Sequence, residues 1–71
     1  MNLIQGIIGK EYIVKDILVD DEELRAFLLT LGCYPGEKVT IIATKKRNIV
    51  ISIKNARYNI DSQLANLILV D

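Results

Sequence analysis

The chain has no histidine and no tryptophan, one cysteine and one proline, and nine Lys and Arg balance nine Asp and Glu. Each shortage excludes something. A lone Cys33 cannot build an intramolecular disulfide framework, and without histidine almost nothing remains for a zinc or haem site. The usual general base and the usual pH switch near neutrality are missing too, which argues against an enzyme. Zero net charge argues against a protein that lives on phosphate backbones, because non-specific nucleic-acid affinity comes mainly from released counterions and needs a basic excess. Three tyrosines and one phenylalanine provide a poor stacking platform for single strands. No apolar run approaches the ~20 residues that span a bilayer. The opening Met1 to Lys10 lacks a basic n-region and is cut by Gln5, Gly6, Gly9 and Lys10, so it does not read as a signal peptide. The expectation is a soluble protein of the reducing cytoplasm.

What is present is apolar. Of 71 residues, 51% are hydrophobic and 25% charged, a mixture that folds as a single domain over residues 1–71 and is too short to bury a second core. Tyr12, Ile13, Val14 and Ile17 mark a strand within Glu11 to Leu18. A helix is expected over about 21–31. Asp20 or Asp21 serves as N-cap, Glu23 stands three after Asp20 as in a capping box, and Leu24, Phe27, Leu28 and Leu31 form one apolar stripe. Gly32 ends it. Tyr34-Pro35-Gly36-Glu37 has the residues of a type II turn. A hairpin follows, with Val39, Ile41 and Ala43 on one face, a polar tip at Lys45-Lys46-Arg47-Asn48, and Ile49, Ile51 and Ile53 alternating on the return. Asn55-Ala56 reads as a tight connection into Arg57 to Ile60, with Tyr58 and Ile60 inward. Asp61-Ser62 caps a short helical turn near 61–66, and Leu67 to Val70 closes the chain as a strand. About five short strands with one inserted helix manage their edges best by curling into a small barrel.

Leu28-x-x-Leu31-Gly32-Cys33-Tyr34-Pro35-Gly36-x-x-Val39, followed by a hairpin and then Ala65-x-x-Ile68-x-Val70, resembles the FeoA family over nearly the whole chain. The resemblance implies a mainly β, SH3-like barrel. It also implies a non-catalytic cytoplasmic accessory protein of bacterial ferrous iron uptake, which binds the FeoB permease, at its cytoplasmic GTP-binding portion, and modulates or stabilises it. On that reading the protein sits at the inner face of the membrane through its partner, inserts nothing into it, and neither transports nor reduces iron. No cofactor is expected, and a weak or indirect association with ferrous iron is left open. The same module occurs in iron-dependent repressors, so a metal-responsive sensing domain is one alternative and a small-barrel nucleic-acid-binding protein another. A second copy of the chain is a further candidate partner.

Cys33 reads as a small buried hydrophobe, and Asp20, Asp21, Glu22 and Glu23 as helix-start charges, because consecutive helical acids splay instead of converging on a cation. Gly6 to Lys10 is too short for a phosphate-binding loop. Two features are left for a partner. Lys45, Lys46 and Arg47 form the main basic cluster. The strands also carry more apolar residues than one inward face needs, so Ile8, Ile42, Val50, Leu67 and Leu69 are expected to contribute an exposed apolar patch.

Overall fold

The computed structural model describes all 71 residues. Five antiparallel strands, β1 (Glu11–Ile17), β2 (Lys38–Thr44), β3 (Asn48–Ile53), β4 (Ala56–Asp61) and β5 (Ile68–Val70), form one sheet in the order β4-β3-β2-β1-β5. Helix α1 (Glu22–Leu31) is inserted between β1 and β2, and the short α2 (Ser62–Ala65) carries the chain from one edge strand to the other. A 3-10 turn at Leu3–Gln5, which the sequence pattern did not suggest, is closed by Asn2, whose side chain accepts from the Gln5 amide while Gln5 accepts from the Asn2 amide.

The sheet curls because β1 changes partner along its length. Glu11 to Ile13 pair with β2, whereas Val14, Asp16 and Ile17 pair with β5, and the register slips between Val14 and Asp16. A bulge adds a residue on one strand and increases its local bend and twist, so one seven-residue strand serves two directions of the sheet. A second slip, between Ile41 and Ala43, bends β2 against β3. It explains why Ala43, expected to continue the inward face of Val39 and Ile41, is only half-buried.

Inside the curl lies one core that contains no polar residue. Val14, Val39, Ile41, Ile49, Ile51, Ile53, Ile68 and Val70 are each almost wholly buried, joined by Leu3, Leu28, Cys33 and Ala65. Strict alternation along β3 places every second residue, Ile49, Ile51 and Ile53, inward, as a period of two requires. Ile60 is buried with them and Tyr58 packs half-buried at their margin.

Helix α1 begins at Asp21, whose Oδ1 accepts from the amides of Glu23 and Leu24 at 2.9 and 3.3 Å. The expected reciprocal box from Asp20 is therefore replaced by a simpler cap one residue later. The helix ends in Gly32 at φ +106°, with the Gly32 amide donating to Leu29 and that of Cys33 to Leu28, the paired reverse bonds of a Schellman end. Its buried face also differs from expectation. Leu28 is buried and Leu24, Leu29 and Leu31 are half-buried, but Phe27 is 48% exposed. The stripe is rotated toward Leu29, leaving Phe27 at the solvent edge. Arg25 anchors the helix to its entry loop, Nη2 donating to the carbonyls of Ile17 and Val19 at 3.0 and 3.1 Å.

Tyr34 to Glu37 forms the expected turn, with Gly36 at φ +93° and the Glu37 amide donating to the Tyr34 carbonyl at 2.9 Å. The β3–β4 turn lies one residue earlier than expected. Lys54 and Asn55 occupy its centre at φ +50° and +69°, and Ile53 pairs with Ala56, because a two-residue hairpin turn that matches the strand twist needs positive φ at both central positions.

Candidate functional site

The N-terminal segment turns apolar side chains outward. After the 3-10 turn, Gly6 passes so close to the sheet that a Cβ there would collide with Ile41 and meet Tyr12 Cε2 at 3.0 Å. Ile7, Ile8, Gly9 and Lys10 then make a tight turn, the Lys10 amide donating to the Ile7 carbonyl at 3.1 Å with Gly9 at φ +86°. Two further bonds pin this loop to the barrel: the Gly9 amide donates to Ile41 O at 2.7 Å, and the Ile7 amide donates to Tyr12 Oη at 2.8 Å. The loop is thus held from both sides while Ile7 and Ile8 remain 64% and 54% exposed. A braced loop with bare isoleucines costs little ordering entropy when a partner covers it.

Beside it lies the β2–β3 turn. Its ends are tied by the Lys45 amide to Asn48 O, and Arg47 O accepts from the Ser62 amide, both at 2.8 Å. Between loop and turn runs an open groove of about 610 Å³, lined by Ile4, Ile7, Ile8 and Ile49, by Lys45 and Lys46, and by Thr44, Asn48 and Ser62 with the Gly6 backbone.

The groove brings together three of the eight residues expected to bind a partner: Ile8, Lys45 and Lys46. Arg47 is exposed in the same turn but does not line it. The remaining four do not join them. Ile42 and Val50 are half-buried on β2 and β3, and Leu67 lines a separate groove with Leu24 and Leu64. Leu69 is half-buried in β5, bridged to Asn2 and opposite Asp16. The single strand-borne patch is therefore divided, since the outer positions of a curled sheet face different directions. Ile4 and Ile7 line the groove but were not among the residues expected there. The signal for Ile7 was its place beside Ile8 between Gly6 and Gly9, a pair too short to show strand alternation, and Ile4 carried no such signal.

Other chemistry-bearing residues are accounted for by structure. Cys33 is fully buried, and that burial pushes its thiol up to about 11, so at neutral pH it is protonated and not a ready ligand or nucleophile. Asp21 caps α1, and Asp20, Glu22 and Glu23 are exposed around it. No three His, Cys, Asp or Glu side chains converge anywhere in the molecule. Glu37 is the one carboxylate held clearly low, by the Lys38 amide and by Lys54 Nζ at 3.2 Å.

The FeoA domain model matches residues 1–71, the whole of the chain. The chain belongs to the FeoA family. That family is associated with ferrous iron transport and has an SH3-like fold. The crystal structure of the iron uptake regulatory protein FeoA is similar at 27% identity and TM-score 0.88, covering 99% of this chain and 92% of that one. Iron(II) transport protein A from Clostridium thermocellum is similar at 29% identity and TM-score 0.91, over 100% of this chain and 44% of that one. Stenotrophomonas maltophilia FeoA, complexed with zinc, shares the fold at 20% identity and TM-score 0.88, over 100% of this chain and 89% of that one. No curated protein matches the sequence. The residues that carry the FeoA resemblance are those that set the architecture. Leu28 and Gly32 to Val39 build the helix end and the following turn, and Ala65, Ile68 and Val70 are all buried.

Proposed function

We propose that the protein is a non-catalytic accessory module of ferrous iron uptake, docking on the cytoplasmic GTP-binding portion of the FeoB permease. The observation that carries this reading is the groove with its exposed Ile7 and Ile8 beside Lys45 and Lys46, in a chain whose family is associated with ferrous iron transport. Apolar side chains held bare by a rigid loop mark an interaction site. The zinc-bound relative, described as a suggested bacterial ferrous iron transport activating factor, is consistent with a role of this kind. No helix is long and apolar enough to cross a membrane.

The mechanism follows from binding alone. A module without chemistry of its own changes its partner only by binding one of that partner's states more tightly than another, and the shift is bounded by the ratio of the two affinities. Docking would bias the nucleotide-dependent states of the permease toward the one that complements the groove. The test is ferrous uptake at low external iron in a strain lacking the gene, with co-purification of tagged protein and permease. Reduced uptake and joint recovery are expected. Unchanged high-affinity uptake would sink the proposal.

A further inference from the structure

We infer that the groove between the Ile7–Ile8 loop and the Lys45–Lys46 turn receives a short segment of partner protein chain that carries acidic and apolar side chains together. The inference rests on the reading of the molecule as a docking module and specifies the chemistry of what docks.

The groove's lining is chemically divided. The N-terminal segment contributes exposed Ile4, Ile7 and Ile8, and the β2–β3 turn contributes Lys45 and Lys46. Neither lysine has an acidic partner, because the two ion pairs of the molecule, Lys15–Asp71 and Lys54–Glu37, lie elsewhere. No acid lines the groove. Asp61, opposite Asn48 in the β3–β4 register, lines the separate groove by Leu24, and its Oδ1 accepts from the Gln63 amide at 2.6 Å. A chain of zero net charge therefore keeps an acid-free cationic margin beside bare isoleucines. Thr44, Asn48 and Ser62 complete the lining with side chains that make no hydrogen bond within the chain. They are free to pair with the backbone of a bound segment.

Charge complementarity selects a carboxylate-bearing occupant, and the isoleucines require apolar side chains next to those carboxylates. A concavity favours a protein segment over a bilayer, which engages side chains that project together from a convex face. Phosphate-backbone binding would need a basic excess, and here the cations share the site with four isoleucines.

The experiment is selection of random dodecapeptides displayed on phage against the immobilised full chain. A selected peptide is then synthesised, titrated and mapped by amide chemical shifts. Enrichment of Asp and Glu together with Leu, Ile or Phe is expected, with the largest shifts at Ile7, Ile8, Lys45 and Lys46. The variants K45E/K46E and Ile8→Asp should each weaken binding by about tenfold or more, and added salt should weaken it further. All three positions are exposed, and an unchanged circular dichroism spectrum would confirm that each variant folds. The inference is overturned by no enrichment, by shifts elsewhere, by full affinity in the variants, or by variant-sensitive binding to phosphatidylglycerol vesicles with no peptide selected. If peptides occupy the groove but the cytoplasmic domain of the permease does not bind, the groove's chemistry stands and the partner's identity falls. If that domain binds K45E/K46E and Ile8→Asp as well as the unaltered chain, the groove assignment falls and the accessory role remains.

Discussion

Tyr12 Oη accepts the amide hydrogen of Ile7 at 2.8 Å, so a buried ring of the barrel wall supports the backbone of the exposed loop. Tyr12→Phe keeps the ring and leaves that amide without its partner. A net hydrogen bond of this kind contributes about 0.5–1.5 kcal/mol. The variant should remain folded with a modestly lower stability in urea, while hydrogen exchange at the Ile7 amide accelerates. Unchanged protection there would show that the loop does not depend on the ring.

Gly6 is required by packing and not by backbone conformation, for its φ is −76° while an added Cβ would strike Ile41 and crowd Tyr12. Gly6→Ala should destabilise by about 1–3 kcal/mol, the usual cost of overpacking a filled site. The reverse change elsewhere gives the contrast. Gly9, at φ +86° with nothing near its missing Cβ, should suffer on substitution by alanine from backbone strain alone. Equilibrium unfolding of both variants, with the Ile41 methyl resonances as the local probe, separates the two causes: only Gly6→Ala should move those methyls strongly.

Glu37 predicts an acid-side dependence. Its carboxyl is held below the ordinary glutamate value by the bond from the Lys38 amide and by Lys54. A folded-state depression of this sign stabilises fully above the unfolded glutamate pKa, ~4.3, and is lost as pH falls through the folded value. Glu37→Gln should therefore lower Tm relative to the unaltered chain at pH 7 and lower it less at acid pH below that range. An equal difference at both pH values would contradict the assignment.

Cys33 predicts an alkaline dependence of opposite sign. Burial pushes its thiol from 9.0 up to about 11, so the folded state favours the protonated form. That contribution is complete below the unfolded value and fades as pH rises from about 9 toward 11. At neutral pH the native thiol should react with Ellman's reagent far more slowly than the same chain in urea. Cys33→Ser, which buries a hydroxyl among apolar neighbours, should cost about 1–3 kcal/mol. Fast labelling of the native chain would show an accessible thiol.

Much of this was legible along the chain. The alternation Ile49, Ile51, Ile53, the Pro35-Gly36 turn, Asp21 at the helix start and Gly32 at its end are local chemistry, and the structure uses each in the expected role. Departures occur where a neighbour decides. Phe27 lies in the stripe by periodicity, but the small sheet offers its helix contact for only part of that face. Ala43 follows Ile41 by alternation, but the slip in register with β3 turns it partly away.

The candidate site was legible only in part. Lys45 and Lys46 were apparent as a basic hairpin tip and Ile8 as surplus hydrophobicity, but their neighbourhood was not. Residues 4–8 and 44–49 meet because Gly6 fits against Ile41 and Gly9 bonds to its carbonyl, contacts between segments more than thirty positions apart.

By itself the sequence determined a small neutral domain, poor in histidine and cysteine, with the turn and core residues of a short-stranded barrel. Those properties are compositional or local, so they survive without a fold. Only the tertiary structure decided which surplus apolar residues stand bare and beside which charges. Exposure depends on what the curl of the sheet brings alongside, and here it half-covers Ile42, Val50, Leu67 and Leu69 while leaving Ile7 and Ile8 exposed next to Lys45 and Lys46.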